Sequence, residues 1–156
     1  ALYGFGAAGG RVLPRLLEAD VPVVLGSDWT PAVTDPFELV RFALGLHRDA
    51  AGDDRAVSLE AGLRMATAGS VPLGRPGQLG RVAVGQLADL VVVRLTGPHQ
   101  LAAVHPVPAL ALHARPSDVA WVVVDGEVVL DDGEYQRGDL GAMVAEARAV
   151  LASMAG

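Results

Sequence analysis

The stretch Val21–Pro36, VPVVLGSDWTPAVTDP, decides how the chain is read. Val21, Val23, Val24 and Leu25 form a short apolar run that breaks at Gly26 and passes at once into Ser27, Asp28 and Trp29. Such a run, bounded by turn residues, predicts a strand over Val21–Gly26 buried on both faces, as in parallel sheets. A carboxylate just past such a strand stands at the rim where α/β folds keep their ligands. Most carboxylates so placed merely cap a turn or a helix. Asp35-Pro36-Phe37-Glu38 then offers an N-cap, a proline suited to the first helical position and a carboxylate at N3. The order is strand, acidic loop, helix.

On the N-terminal side, Val12, Leu13, Leu16 and Leu17 fall on one face of a helix over Arg11–Ala19. Gly4, Gly6 and Gly9 have the G-x-G-x-x-G spacing of a dinucleotide loop, but the strand that the fingerprint requires before it is missing. On the C-terminal side, a helix from Pro36 to about Arg48 carries Phe37, Val40, Leu44 and His47 along one side. Helix, strand, helix is the alternation of an α/β fold. Asp49–Arg55 is polar, and Ser58 caps a third helix over Leu59–Ala68 that Gly69 closes.

Beyond this helix the texture changes. Pro72, Gly74, Pro76, Gly77, Gly80 and Gly85 make Ser70–Gly85 a run of turns and short extended pieces. Leu87–Leu95 reads as a strand. Ala120–Val124 and Glu127–Leu130 flank Asp125-Gly126, a strong two-residue hairpin signal, and Asp131-Asp132-Gly133 turns the chain again. Leu140, Met143, Val144, Ala147, Val150 and Leu151 mark a terminal amphipathic helix with Asp139 at its N-cap.

Composition narrows the function. The 156 residues are 51% hydrophobic and 19% charged, which supports a packed core and excludes wholesale disorder. A net charge of −6 with no Lys/Arg run argues against a nucleic-acid surface. No apolar run approaches the roughly 20 residues needed to span a bilayer, and the first residues have no signal-peptide pattern. With no cysteine, disulfides and thiolate metal sites are excluded. The chain opens on Ala1 rather than Met, as expected of a processed chain or of one that starts mid-protein.

Four stretches carry a family resemblance. They are Gly26-Ser27-Asp28, then LEAGLRMAT at 59–67, and LGRVAVGQLADLVV at 79–92, followed by DVAWVVVDGEVVLDDG at 118–133. In this order they resemble the C-terminal part of the amidohydrolase superfamily, closest to its chlorohydrolase and aminohydrolase branch, which includes deaminases of purines, pyrimidines and triazines. The likeness runs from about residue 11 to 137. Ala83-Val84 stands where the family often has Glu-Pro, a turn position. Trp29-Thr30-Pro31 falls where relatives vary, so the substrate does not carry over.

The resemblance implies an α/β fold: the C-terminal part of a metal-dependent (β/α)₈ barrel, part of a small β-sandwich, and a terminal helix. Residues 1–77 would be the last βα elements of the barrel, 78–137 the sandwich portion with the DG hairpin, and 138–156 the terminal helix. It implies a hydrolase of non-peptide C–N bonds, deaminating or dechlorinating a heterocycle with metal-activated water. Asp28 would be both metal ligand and catalytic proton shuttle. The metal would be divalent, zinc with iron as the alternative, and its other ligands would come from an N-terminal part not included here. A divalent ion lowers the pKa of its water from about 15.7 towards 7, and a carboxylate kept ionised beside it can take that proton.

The chain holds only His47, His99, His105 and His113, none in the HxH pair the superfamily's metal site needs. A barrel also needs about 250 residues. The chain therefore reads as a C-terminal fragment, silent on its own. The expected setting is cytoplasmic, with a small-molecule substrate, no nucleic-acid or membrane partner, and homo-oligomerisation left open. Two other readings stand beside this one: a β-rich interaction module without catalysis, and a deacetylase- or dihydroorotase-like cyclic amidase.

Overall fold

The computed structural model describes residues 12–27, 35–68 and 74–154. The Gly-rich stretch before Arg11, Asp28 with the residues to Thr34, and Gly69 to Leu73 lie outside the described residues. Helices α1 (Val12–Glu18), α2 (Pro36–Ala51) and α3 (Leu59–Thr67) come first. Strand β1 (Leu90–Val93) follows. A connection over 94–118 then holds the single helical turn α4 (Pro106–Pro108) and further short turns at Pro98–Gln100, Ala109–His113 and Pro116–Asp118. Strands β2 (Val119–Val124), β3 (Glu127–Asp131) and β4 (Glu134–Tyr135) precede the terminal helix α5 (Leu140–Met154).

Local chemistry sets the helix ends. Asp35 sits at an extended φ/ψ, and its Oδ1 accepts the Phe37 N–H at 2.9 Å. Gly52, at φ 65°, turns the chain off α2 while its N–H reaches the carbonyls of Arg48 and Asp49. The helix therefore runs three residues beyond the expected end at Arg48. Arg48 donates Nε and Nη2 to the Val57 carbonyl at 3.0 and 2.7 Å, tying down the loop that leads into α3. Ser58 Oγ accepts the Ala61 N–H at 3.1 Å and starts α3.

The core lies where α2 meets α3. Val40, Ala43, Leu44, Val57 and Met65 are buried there with Leu13 of α1 and Ala111 of the connection. The face expected of α2 is the one used, with Ala43 added to it. Gly62 lets the two helices close up: a Cβ there would stand 3.1 Å from Leu44 Cδ2.

The segment at 21–27 departs from expectation, because no strand forms over Val21–Gly26. A strand exists by pairing, and the described strands pair only with one another. Instead the Leu25 N–H donates to the Met65 carbonyl at 2.9 Å, fastening the segment to α3. Val23 and Leu25 pack on the core while Val21 and Val24 stay exposed. The run is apolar on both faces, yet among the described residues only one face is covered.

The sheet is antiparallel in the order β1-β2-β3-β4. Leu90 pairs with Val123, and Val124 with Glu127 across the Asp125-Gly126 turn. Both turn residues have positive φ, 52° and 82°, as a type I′ hairpin requires. Asp132-Gly133 repeats the left-handed pair at 48° and 87° and leads into the short β4, which the sequence reading did not anticipate. The Asp89 carboxylate accepts the Asp125 N–H at 2.7 Å, and the Ala88 carbonyl accepts the Gly126 N–H at 3.1 Å. The A-D-L motif thus clamps the hairpin turn. β1 is shorter than expected, and α5, capped by Asp139 Oδ1 on the Ala142 N–H, is exposed along its length.

Candidate functional site

Asp28, the residue expected to bind metal and move protons, lies outside the described residues, as do Trp29, Thr30 and Pro31. What is described is the frame on either side. The Leu25–Met65 hydrogen bond holds the approach to Ser27, and Asp35 holds the exit. Asp35 behaves as a cap: Oδ1 accepts the Phe37 N–H, and Oδ2 lies 3.4 Å from Arg41 Nη2. Its carboxylate is turned to its own helix.

Among the described residues no group of three or more His, Asp or Glu converges as a metal ion needs. The histidines among the described residues form no metal-ligand set. His47 is half-buried on α2, in contact with its surroundings, and His105 begins α4 from an extended backbone.

The densest polar cluster is one that the sequence reading passed over. Asp118, its side chain only 11% exposed, receives three donors on Oδ2: His99 Nε2 at 2.8 Å, Gln100 Nε2 at 3.1 Å and the Arg115 N–H at 2.8 Å. Burial works against its charged form. The hydrogen bonds from His99 and the Arg115 N–H, with the positive charge of both residues, outweigh that and hold the carboxyl below its ordinary range. Buried Gln100 finishes the network, giving Nε2 to the Arg94 carbonyl and taking the Gly97 N–H on Oε1. His99, one of the four histidines outside any HxH pair, is the partner of Asp118. The two are 19 positions apart, so no local motif announces the pair. The cluster ties the two ends of the connection together.

Beside it, Arg94 stacks over the Trp121 ring at 5.6 Å and pairs with Asp132. Trp121 Nε1 donates to Asp131 Oδ1. These groups brace β1 against β2 and β3 on an exposed surface.

A family model described as "Amidohydrolase family" matches residues 8–130. The chain is 40% identical over 129 residues to a 5-methylthioadenosine/S-adenosylhomocysteine deaminase of Syntrophobacter fumaroxidans, covering 81% of this chain and 30% of that protein. It superimposes on an adenosine deaminase from Xanthomonas campestris with bound zinc at a TM-score of 0.83 and 31% identity, covering 88% of this chain and 32% of that one. Atrazine chlorohydrolase TrzN from Arthrobacter aurescens, complexed with zinc, gives 0.77 and 29%, with 88% and 31% covered. The chain thus spans about a third of the length of the proteins it matches. These neighbours are (β/α)₈-barrel enzymes, and helices joined to a small antiparallel sheet agree with the C-terminal portion of such a protein. The chain belongs to the amidohydrolase family.

Proposed function

We propose that the chain forms the C-terminal portion of a metal-dependent hydrolase that deaminates, or dechlorinates, a nitrogen heterocycle. Residues 1–77 would complete the barrel, 78–137 contribute to the small β-sandwich, and 138–156 close the chain. The observation that carries this reading is the superposition on a zinc-bound adenosine deaminase over 88% of the chain. The deaminase of Syntrophobacter fumaroxidans, 40% identical, points to a purine nucleoside as the first substrate to try.

In this reading water adds to the ring carbon that bears the amino group or chlorine, and ammonia or chloride leaves. A divalent ion, zinc by analogy with both neighbours, would be held in part by Asp28 and would supply the acidity of the attacking water. Asp28 accepts the proton that the water gives up and delivers it to the departing amine. The ion's other ligands would come from beyond the described residues. Asp35 takes no part, because its carboxylate is engaged at the start of α2.

The test uses the full-length protein with zinc, assayed for ammonia from 5′-methylthioadenosine, S-adenosylhomocysteine and adenosine, and for chloride from chlorotriazines. Turnover is expected with at least one of these, lost on chelation and restored by metal. Asp28→Asn keeps the side-chain shape but not the proton acceptor, so kcat should fall by about 10²–10⁴ with the fold intact. Asp35→Asn should change neither, since Asn is a comparable N-cap. A fully active Asp28→Asn enzyme would end the assignment of that residue. The metal-loaded protein failing on every substrate would count against the reaction class.

A further inference from the structure

Three segments distant in sequence meet at a polar cleft of about 270 Å³ lined by Arg41, His99, Leu112, His113 and Arg115. Four of these five residues carry basic side chains, and no carboxylate lines the cleft. The nearby acids are already engaged. Asp118 spends Oδ2 on His99, Gln100 and the Arg115 N–H, and Asp35 is held by Phe37 and Arg41.

The bases are differently placed. Arg41 is fixed by donating Nη1 to the Ala114 carbonyl at 2.8 Å. Arg115 forms no salt bridge with a described residue. Its fork of donors suits an anion with several oxygens. His113 can add a ring N–H from the end of the turn before Ala114.

We propose that this cleft binds a small tetrahedral oxyanion of the phosphate class. Its volume falls just below the roughly 300–1,000 Å³ of sites for drug-sized ligands, which suits a small ion or a short phosphomonoester. An anion here would face Arg41 of α2 and Arg115 of the connection together. It would brace the junction already made by the Arg41–Ala114 hydrogen bond. The assignment rests on the cleft alone and is independent of the reaction proposed above.

Inorganic phosphate, titrated into the full-length protein by calorimetry in a buffer free of other oxyanions, tests it. Saturable binding displaced by sulfate is expected. Arg115→Ala should weaken it about tenfold or more, the loss expected for a charge-assisted hydrogen bond. Arg115→Lys should retain part of it, and His113→Gln should weaken it less. Arg148→Ala, on exposed α5, is the control and should leave it unchanged. Because neither Arg115 nor His113 is part of the proposed chemistry, their dependence separates this site from phosphate held at a catalytic metal. Should Arg115→Ala not fold, Arg115→Lys and His113→Gln carry the test. No saturable binding, or binding that none of the Arg115 and His113 variants alters, overturns the proposal.

Discussion

Arg41, on the second turn of α2, donates Nη1 to the carbonyl of Ala114, 73 positions along the chain. Ala114 is fully buried, so this carbonyl has no water to turn to. One guanidinium thereby fixes the helical part of the chain to the connection that precedes β2.

Arg41→Ala should leave that carbonyl unsatisfied, at a cost of about 1–3 kcal/mol. Thermal or urea unfolding of the full-length protein would read the loss. A change within about 0.5 kcal/mol, the range of ordinary surface substitutions, would show that the bond contributes nothing.

The same substitution at two helical glycines should have opposite signs. Gly45 of α2 is exposed, and a Cβ there meets nothing within 4 Å. Gly45→Ala should stabilise by up to about 1 kcal/mol through helix propensity. At Gly62 the new Cβ would press on Leu44, which is 2% exposed and locked in the core. Overpacking of about 1–3 kcal/mol should outweigh the propensity gain there. Matched denaturation curves of the two variants decide it, and equal shifts would contradict the close approach of α2 and α3.

Gly126, at φ 82°, is the second residue of the β2–β3 turn. Gly126→Val puts a β-branched side chain in left-handed backbone and should cost about 1–2 kcal/mol. Asp125→Gly, at φ 52°, should be tolerated because it eases the same strain. Melting temperatures of both variants form the comparison, and a Gly126→Val protein as stable as the parent would refute the turn geometry.

Asp118 supplies the pH-dependent prediction. Its carboxyl is held below the ordinary value of 3.8 in the folded protein. A depressed pKa adds stability that is present above the unfolded value and drains away as pH falls through the folded one. The stability difference between the parent and Asp118→Asn should therefore be larger at pH 5 than at pH 3. A difference that stays level or grows towards pH 3 would contradict the assignment.

Much of the fold was legible because its signals are local. Asp35, Ser58 and Asp139 each cap the helix they precede, and Asp125-Gly126 makes the turn that its chemistry demands. The connection was missed although it carries a usable signal: Pro98, Pro106 and Pro116 each stand first in a short helical turn. The strand over Val21–Gly26 was misjudged for a different reason. Its apolar residues are suited to neighbours on both sides, whereas strand pairing depends on which neighbours are there. Of the site, Asp28 was singled out by family likeness and lies outside the described residues. The His99–Asp118 and Asp89–Asp125 contacts stayed hidden because each joins residues that only the folded chain brings together.

The long connection makes pairing β1 with β2 costlier in chain entropy than pairing β2 with β3. β2 and β3 are joined by two residues, whereas β1 reaches β2 only after residues 94–118 have been looped out. Closing a loop of about 25 residues rather than two adds about 2 kcal/mol of chain entropy. A short hairpin closes within about 1–10 μs on its own. Chain entropy alone therefore favours closing the Asp125-Gly126 hairpin over pairing β1 with β2. For β1 the cost is offset by the Asp89 contact with the Asp125 N–H and by the His99–Asp118 pair that fastens the loop.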